Sequence, residues 1–268
     1  MKDILQEIVA HKRIEVDAMK EAVSLELMLH MKGDQLNLPR KDMRKALEAS
    51  DSGIIAEFKR KSPSKGWLHA EAEVKEVLPA YQLGGASASS ILTDKTYFGG
   101  TLRDLTTARQ SCSLPLLRKD FMIDEYQLYQ AKILCADTIL LIAACLSQKQ
   151  CAVFAQLAHQ LDLGVLLEIH NEKELAYVNE DIDMLGINNR DLGSFHTDIA
   201  QSFRLAEKMK ETISHNTKAP LLVSESGITK PENIRELRQI GFRGFLIGET
   251  FMKTKQPGHT LKNFIQRI

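Results

Sequence analysis

Residues 57–66 read EFKRKSPSKG, directly after the short apolar run GIIA at 53–56. Strand residues two apart project to the same face, so a strand ending here would present Glu57 and Lys59 side by side. A carboxylate beside an ammonium group can orient and transfer protons, which is the work of general acid–base catalysis. Similar endings recur along the chain: LLRKD carries Lys119, LLEIH carries Glu168, LGINNRD carries Asn188 and Arg190, and LLVSESG carries Glu225 and Ser226. Each of these alone is ordinary for a salt-bridged rim residue, and KRKSPSK alone fits a solvated basic loop. Gathered in one water-poor chamber they read differently. A lysine close to a second lysine gives up its proton more easily, and a carboxylate shielded from water gains basicity. The expectation is a lysine of lowered pKa acting as an acid near neutrality.

The elements that must hold these side chains are legible as a rhythm. Eight short apolar runs follow one another: GIIAEF, SASSILT, LPLLRKD, DTILLIA, GVLLEI, DMLGIN, PLLVSE and RGFLIG. They are continuously apolar rather than alternating, and most are separated by helical patterns such as EAEVKEVLPAYQLG, which implies a parallel sheet covered by helices. Eight such units fit a closed (β/α)8 barrel. A doubly wound open sheet is the alternative, but no GxGxxG follows the first run. In a barrel the site lies at the carboxyl ends of the strands, where this chain places polar groups after every run except the fourth. Gly227 and Gly248 then follow strands seven and eight, where backbone N–H groups and a short helix starting near Glu249 would cradle an anion.

Residues 1–31 read as one amphipathic helix, broken by Gly33 and Pro39. The chain is therefore expected to be one barrel domain over residues 1–268, with residues 1–50 as a helical extension. Thr229, Pro231 and Glu232 resemble a capping box, closed by Gly241. The second strand is unusually polar, which should weaken its packing.

Lys+Arg and Asp+Glu both total 35, so no global field draws in nucleic acid or an anionic membrane. Cys112, Cys135, Cys145 and Cys151 show no CxxC or metal-ligand spacing, and read as reduced, mostly buried thiols suited to the cytoplasm. The first residues, MKDILQEIVAHKR, carry charges throughout, unlike a signal peptide. The longest apolar stretch, TILLIAACL at 138–146, is too short for a membrane span.

The motifs IIAEFKRKSPSKG, ILTDKTYFGG, LLRKDFMIDEYQ, LLEIHN, LGINNRDL, VSESGI and FLIGETFM, in this order, resemble the indole-3-glycerol phosphate synthases, from about residue 50 to the C-terminus. That resemblance implies ring closure, decarboxylation and dehydration of 1-(2-carboxyphenylamino)-1-deoxyribulose 5-phosphate, without cofactor or metal. The family's essential residues fall on Glu57, Lys59, Lys119, Glu168, Asn188, Glu225 and Ser226. Lys119 would protonate the ketone oxygen, Glu168 would be the base in dehydration, and Lys59 would sit near the substrate's carboxylate and phosphate, with the division of proton transfers between the two lysines open. Phe98 and Phe121 would flank the anthranilate ring, Arg190 would grip its carboxylate or the sugar hydroxyls, and Lys59, Ser62, Gly227, Gly248 and Glu249 would surround the phosphate. Glu249 replaces a small hydroxyl residue common in the family, so only its N–H should face the phosphate, with the carboxylate turned away. A sugar phosphate is the expected partner, with no nucleic acid or membrane, and the expected assembly is a monomer or weak homodimer. The alternatives are an isomerase barrel, which needs a cysteine near the end of strand one, a Schiff-base aldolase using Lys119, and an inactive barrel of the same family acting as a scaffold.

Overall fold

The computed structural model describes residues 4–191, 193, 196–212 and 219–268. Eight parallel strands close into a barrel: β1 (Ile54–Phe58), β2 (Ala88–Leu92), β3 (Leu116–Lys119), β4 (Thr138–Ile142), β5 (Gly164–Ile169), β6 (Met184–Asn188), β7 (Leu221–Glu225) and β8 (Gly244–Ile247). Each pairs with the next in sequence, and β8 closes on β1 through Ile55↔Leu246. Each of the eight apolar runs became one strand. They are buried on both faces, which is why they carry no polar alternation.

The strand pleat sorts the apolar residues into two populations. Ile54, Ile139, Val165 and Leu167 belong to the outer layer beneath the helices. Ile55, Leu117, Leu140, Leu166, Met184, Val223 and Leu246 fill the barrel interior. Two residues beyond four members of that inner layer, the same face carries the chemistry: Glu57 after Ile55, Lys119 after Leu117, Glu168 after Leu166 and Glu225 after Val223. The packing layer is thus the floor on which the polar ends stand.

The N-terminal segment closes both ends of this barrel. Helix α1 (Ile4–Ala22) buries Leu5, Ile8, Lys12 and Val16. The single helix expected over residues 1–31 is instead two. Ser24 takes an extended conformation and accepts the Leu27 N–H, which starts α2 (Leu25–Lys32). After a 3-10 turn at Gly33–Asn37, Asp42 caps α3 (Met43–Glu48). Met43 and Leu47 join the inner core from the amino end, where Leu47 packs near Gly244 at the start of β8. Leu5 and Ile8 join it from the carboxyl end.

The covering helices are α4 (Val74–Leu83), α5 (Leu102–Ser111), α6 (Glu125–Ile133), α7 (Gln148–Gln160), α8 (Ala200–Thr212), α9 (Pro231–Gln239), the short α10 (Glu249–Met252) and α11 (Pro257–Ile265). After β5 the crossover is a 3-10 segment, Glu172–Tyr177, in place of an α-helix. Helix α9 starts one residue later than its apparent capping box: Lys230 is the cap, and its N–H donates to Asn233 rather than engaging Glu232. Polar β2 is buried with one of its serine hydroxyls satisfied and the other, Ser90 Oγ, without a hydrogen-bond partner among the described residues. Ser89 and Ser90 are fully buried, and the Ser89 hydroxyl donates to the Ala56 carbonyl at 2.6 Å. Cys151 is buried, whereas Cys112, Cys135 and Cys145 are only half-buried, and none forms a disulfide. Among the described residues no helix is long and apolar enough to cross a membrane.

Candidate active site

A cavity of about 500 Å³ opens at the carboxyl ends of the strands, a size suited to a small organic ligand. Glu57, Lys59, Lys119, Glu168, Asn188, Glu225 and Ser226 all line it, as do Phe98, Phe121, Arg190, Gly227, Gly248 and Glu249. Ser62 does not. It is buried under the turn after β1, where its hydroxyl accepts the Lys65 N–H. The neighbouring Ser64 lines the cavity instead and accepts from Arg190 Nη1 at 3.0 Å. The SPS sequence offers two serines, and the direction of the turn decides between them.

Lys119 stands at the centre. Its Nζ donates to Glu168 Oε2 and Glu225 Oε2, both at 3.0 Å. Glu168 Oε1 also accepts from Asn188 Nδ2 at 3.1 Å. On the adjoining wall Lys59 Nζ lies 2.6 Å from Glu57 Oε1. Two inward glycines make room for the acids: a Cβ at Gly186 would collide with the Glu225 carboxylate, and one at Gly248 with that of Glu57.

These distances reverse the expected titration of Lys119. Burial pulls its pKa down, but Glu168, Glu225 and Glu57 together outweigh that and raise it. The nearest charges are carboxylates, not the second lysine. The two acids diverge. Burial pushes both up; for Glu168, Lys119, His170 and Asn188 overcome this and hold it well below the usual carboxylate range. For Glu225, the like charge of Glu168 adds to burial and leaves it at about 7, despite Lys119. The shielded carboxylate that gains basicity is therefore Glu225. A trio of one ammonium, one committed carboxylate and one carboxyl titrating near neutrality can give up a proton and take it back.

One wall is aromatic, with the Phe98 and Phe121 rings 6.1 Å apart and tilted by 40°. At the far end, Ser226 and Gly227 take left-handed backbone conformations, φ 64° and 76°. Such a conformation is costly for serine and concentrates at functional turns. Gly248 caps α10 as anticipated. The Glu249 carboxylate turns toward Arg190, whose Nη2 lies 3.3 Å from Oε2. Arg190 Nε is buried without a hydrogen-bond partner.

Ile4, Leu5 and Ile8 of α1 complete the cavity wall. Lys12, one turn on, fastens this helix: it is almost wholly buried, with Nζ 2.9 Å from both Asp94 and Asp120 and 2.7 Å from Glu15. Asp120 is further held by Arg118 and the Thr93 hydroxyl. The sequence held a signal for this. Leu5, Ile8, Lys12 and Val16 share one stripe of the helix, and a lysine on an apolar stripe needs buried partners. His170, packed against Glu168 at 3.1 Å, was likewise passed over, although it stands two residues beyond Glu168. Among the described residues no group of three or more His, Cys, Asp or Glu is arranged to hold a metal ion.

Residues 5–264 match the family profile of indole-3-glycerol phosphate synthase. The chain is 57% identical to the indole-3-glycerol phosphate synthase of Bacteroides thetaiotaomicron over 268 residues, covering all of both chains. It is 39% identical to that of Polaromonas naphthalenivorans, over 97% of this chain and 98% of the relative. In fold it resembles a tryptophan synthase α-subunit from Pyrococcus furiosus, with a TM-score of 0.60 and 14% identity over 81% of this chain and 98% of that one. With a profile over residues 5–264 and a relative 57% identical over its full length, the chain belongs to the indole-3-glycerol phosphate synthase family.

Proposed function

We propose that this carboxy-lyase converts 1-(2-carboxyphenylamino)-1-deoxyribulose 5-phosphate to indole-3-glycerol phosphate, releasing one carbon dioxide and one water. The observation that carries the reading is Lys119, held 3.0 Å from both Glu168 and Glu225 inside a cavity that also contains the Glu57–Lys59 pair.

The ring carbon bearing the carboxylate is a weak nucleophile, so the ketone it attacks must be activated by an acid. Lys119 donates a proton to the ketone oxygen as the carbon–carbon bond forms. Carbon dioxide then leaves, and its bonding electrons restore the aromatic ring. Hydroxide is a poor leaving group, so a second proton, which Lys59 would supply, converts it to water. Glu168 takes the proton lost from the methylene beside the nitrogen. Two protons enter and one leaves, which matches the carboxylate charge lost as carbon dioxide. Each acid–base step is worth roughly 10²–10⁴-fold. Because neighbouring carboxylates hold Lys119 protonated, it works as an acid only if its charge is replaced as it reacts, and Glu225, at about 7, is placed to resupply the proton.

Phe98 and Phe121 would flank the anthranilate ring from one aromatic wall. Arg190, with Nε unpaired, would take the substrate carboxylate or a sugar hydroxyl. Lys59 and the N–H groups around Gly227, Gly248 and Glu249 would hold the phosphate. The balanced charge and cysteines that form no disulfide favour a cytoplasmic enzyme made of one barrel domain over residues 1–268, acting as a monomer or weak homodimer without nucleic-acid or membrane partners.

Indole fluorescence should rise when the purified protein meets the anilino-deoxyribulose phosphate. Folded protein giving no signal would leave the inactive barrel as the better reading.

A further inference from the structure

His170 takes no part in the chemistry above, yet it lies against the group that does. Its Nε2 is 3.1 Å from Glu168 Oε1, and its Nδ1 is 3.6 Å from Glu174 Oε2. The side chain is only 8% exposed. Both ring nitrogens are buried and neither makes a well-directed hydrogen bond, so the contact is one of charge with charge. Such an environment favours an imidazolium over a neutral ring, which would be buried without partners. The groups facing it are Glu168 on β5 and Glu174 on the 3-10 turn, with Lys119 and Asn188 on the far side of Glu168; from α8 the neutral Gln201 approaches.

The backbone holds the ring in register. The His170 N–H donates to Glu174 Oε2 at 2.6 Å. Gln201 Nε2 donates to the carbonyls of His170 and Asn188, at 2.8 and 2.7 Å. One amide thus ties together the ends of the two strands that present Glu168 and Asn188.

We propose that His170 is a positioning residue: as an imidazolium clamped between Glu168 and Glu174, it keeps the Glu168 carboxylate ionised and aimed into the cavity through turnover. The inference rests on reading Glu168 as the base. Lys119 alone cannot do this. It is shared with Glu225, and when it gives up its proton Glu168 loses its main cation. His170 is a second cation that the reaction does not consume. Burial pulls its pKa down, but Glu168 and Glu174 outweigh burial and hold it at about 9, so the charge persists across neutrality.

The test compares kcat and KM from pH 3 to pH 10 in wild type, E168Q and H170Q, a range that reaches the depressed Glu168 limb. Removing an opposite charge at this distance should move the acid limb of the H170Q kcat profile up by about one unit or more, with KM nearly unchanged. H170K, which restores a cation, should move the limb back. An H170Q profile that overlays wild type overturns the inference, as does a loss of kcat equal at every pH. Inactive wild type, or fully active E168Q, would instead refute the reading of the reaction or of Glu168. The His170 ring should also titrate by NMR near pH 9 in wild type. This measurement stands even if H170Q fails to fold, and a ring already neutral at pH 7 would overturn the inference.

Discussion

Replacing Lys119 by methionine removes one positive charge from between two carboxylates at 3.0 Å, in a side chain only 15% exposed. Removing one partner of a buried pair costs about 3–5 kcal/mol, because the other charge is left uncompensated. Here the cost should fall at the lower end, about 3 kcal/mol, because Glu225 titrates at about 7 and can take up a proton instead. The pH dependence follows with a definite sign. Without Lys119, burial and the like charge of Glu168 raise the Glu225 carboxyl still further above its unfolded value of 4.5, while His170 and Asn188 still hold Glu168 ionised. An acid raised in the folded state destabilises above its unfolded pKa, so the penalty should be full at pH 8 and fade toward pH 5. Turnover should fall by about 10²–10⁴, with KM little altered, since the lost proton acts in the transition state. Steady-state fluorescence kinetics and urea unfolding at the two pH values measure both. A kcat within about tenfold of wild type would refute the assignment of Lys119, and a pH-independent stability loss would refute the electrostatics.

Three further substitutions probe separate parts of the site. Glu225→Gln should remove a fall in stability that wild type shows as pH rises from 4.5 to about 7, the window set by its raised pKa; urea midpoints parallel to wild type across that range would contradict it. Lys12→Met leaves Asp94 and Asp120 buried without their shared cation, and should cost about 3–5 kcal/mol and speed amide exchange throughout α1, whereas Lys12→Arg should retain much of both; unchanged exchange would mean the helix is held otherwise. Gly248→Ala drives a Cβ into Glu57, so it should break the Glu57–Lys59 pair and lower kcat while circular dichroism still shows a folded barrel; wild-type kcat would show that the pair is dispensable.

The barrel was legible because parallel strands buried on both faces must be continuously apolar, and because helical patterns separate most of them. Where local chemistry competes, the reading slipped. A serine able to cap a new helix split residues 1–31, and the α9 cap moved from Thr229 to Lys230. The inward positions of Glu57, Lys119, Glu168 and Glu225 followed from the strand period. Their mutual distances did not, because Lys119 and its partners are separated by 49 and 106 residues. Without those distances the wrong neighbour, a second lysine, was given control of Lys119. The choice of Ser64 over Ser62 and the approach of Glu249 to Arg190 depend on loop direction, which composition does not encode. His170 was within reach of the same two-residue rule that paired Glu57 with Lys59.

The most direct measurement is a crystal structure with a substrate analogue whose ketone is reduced to an alcohol, so that it binds without reacting. That hydroxyl should lie about 3 Å from Lys119 Nζ, within hydrogen-bond reach, with the aromatic ring against the Phe98 and Phe121 wall and the phosphate on the Gly227 and Gly248 turns. A phosphate bound elsewhere, or a hydroxyl far from both lysines, would contradict the convergence of Lys59, Lys119 and Glu168 on one substrate.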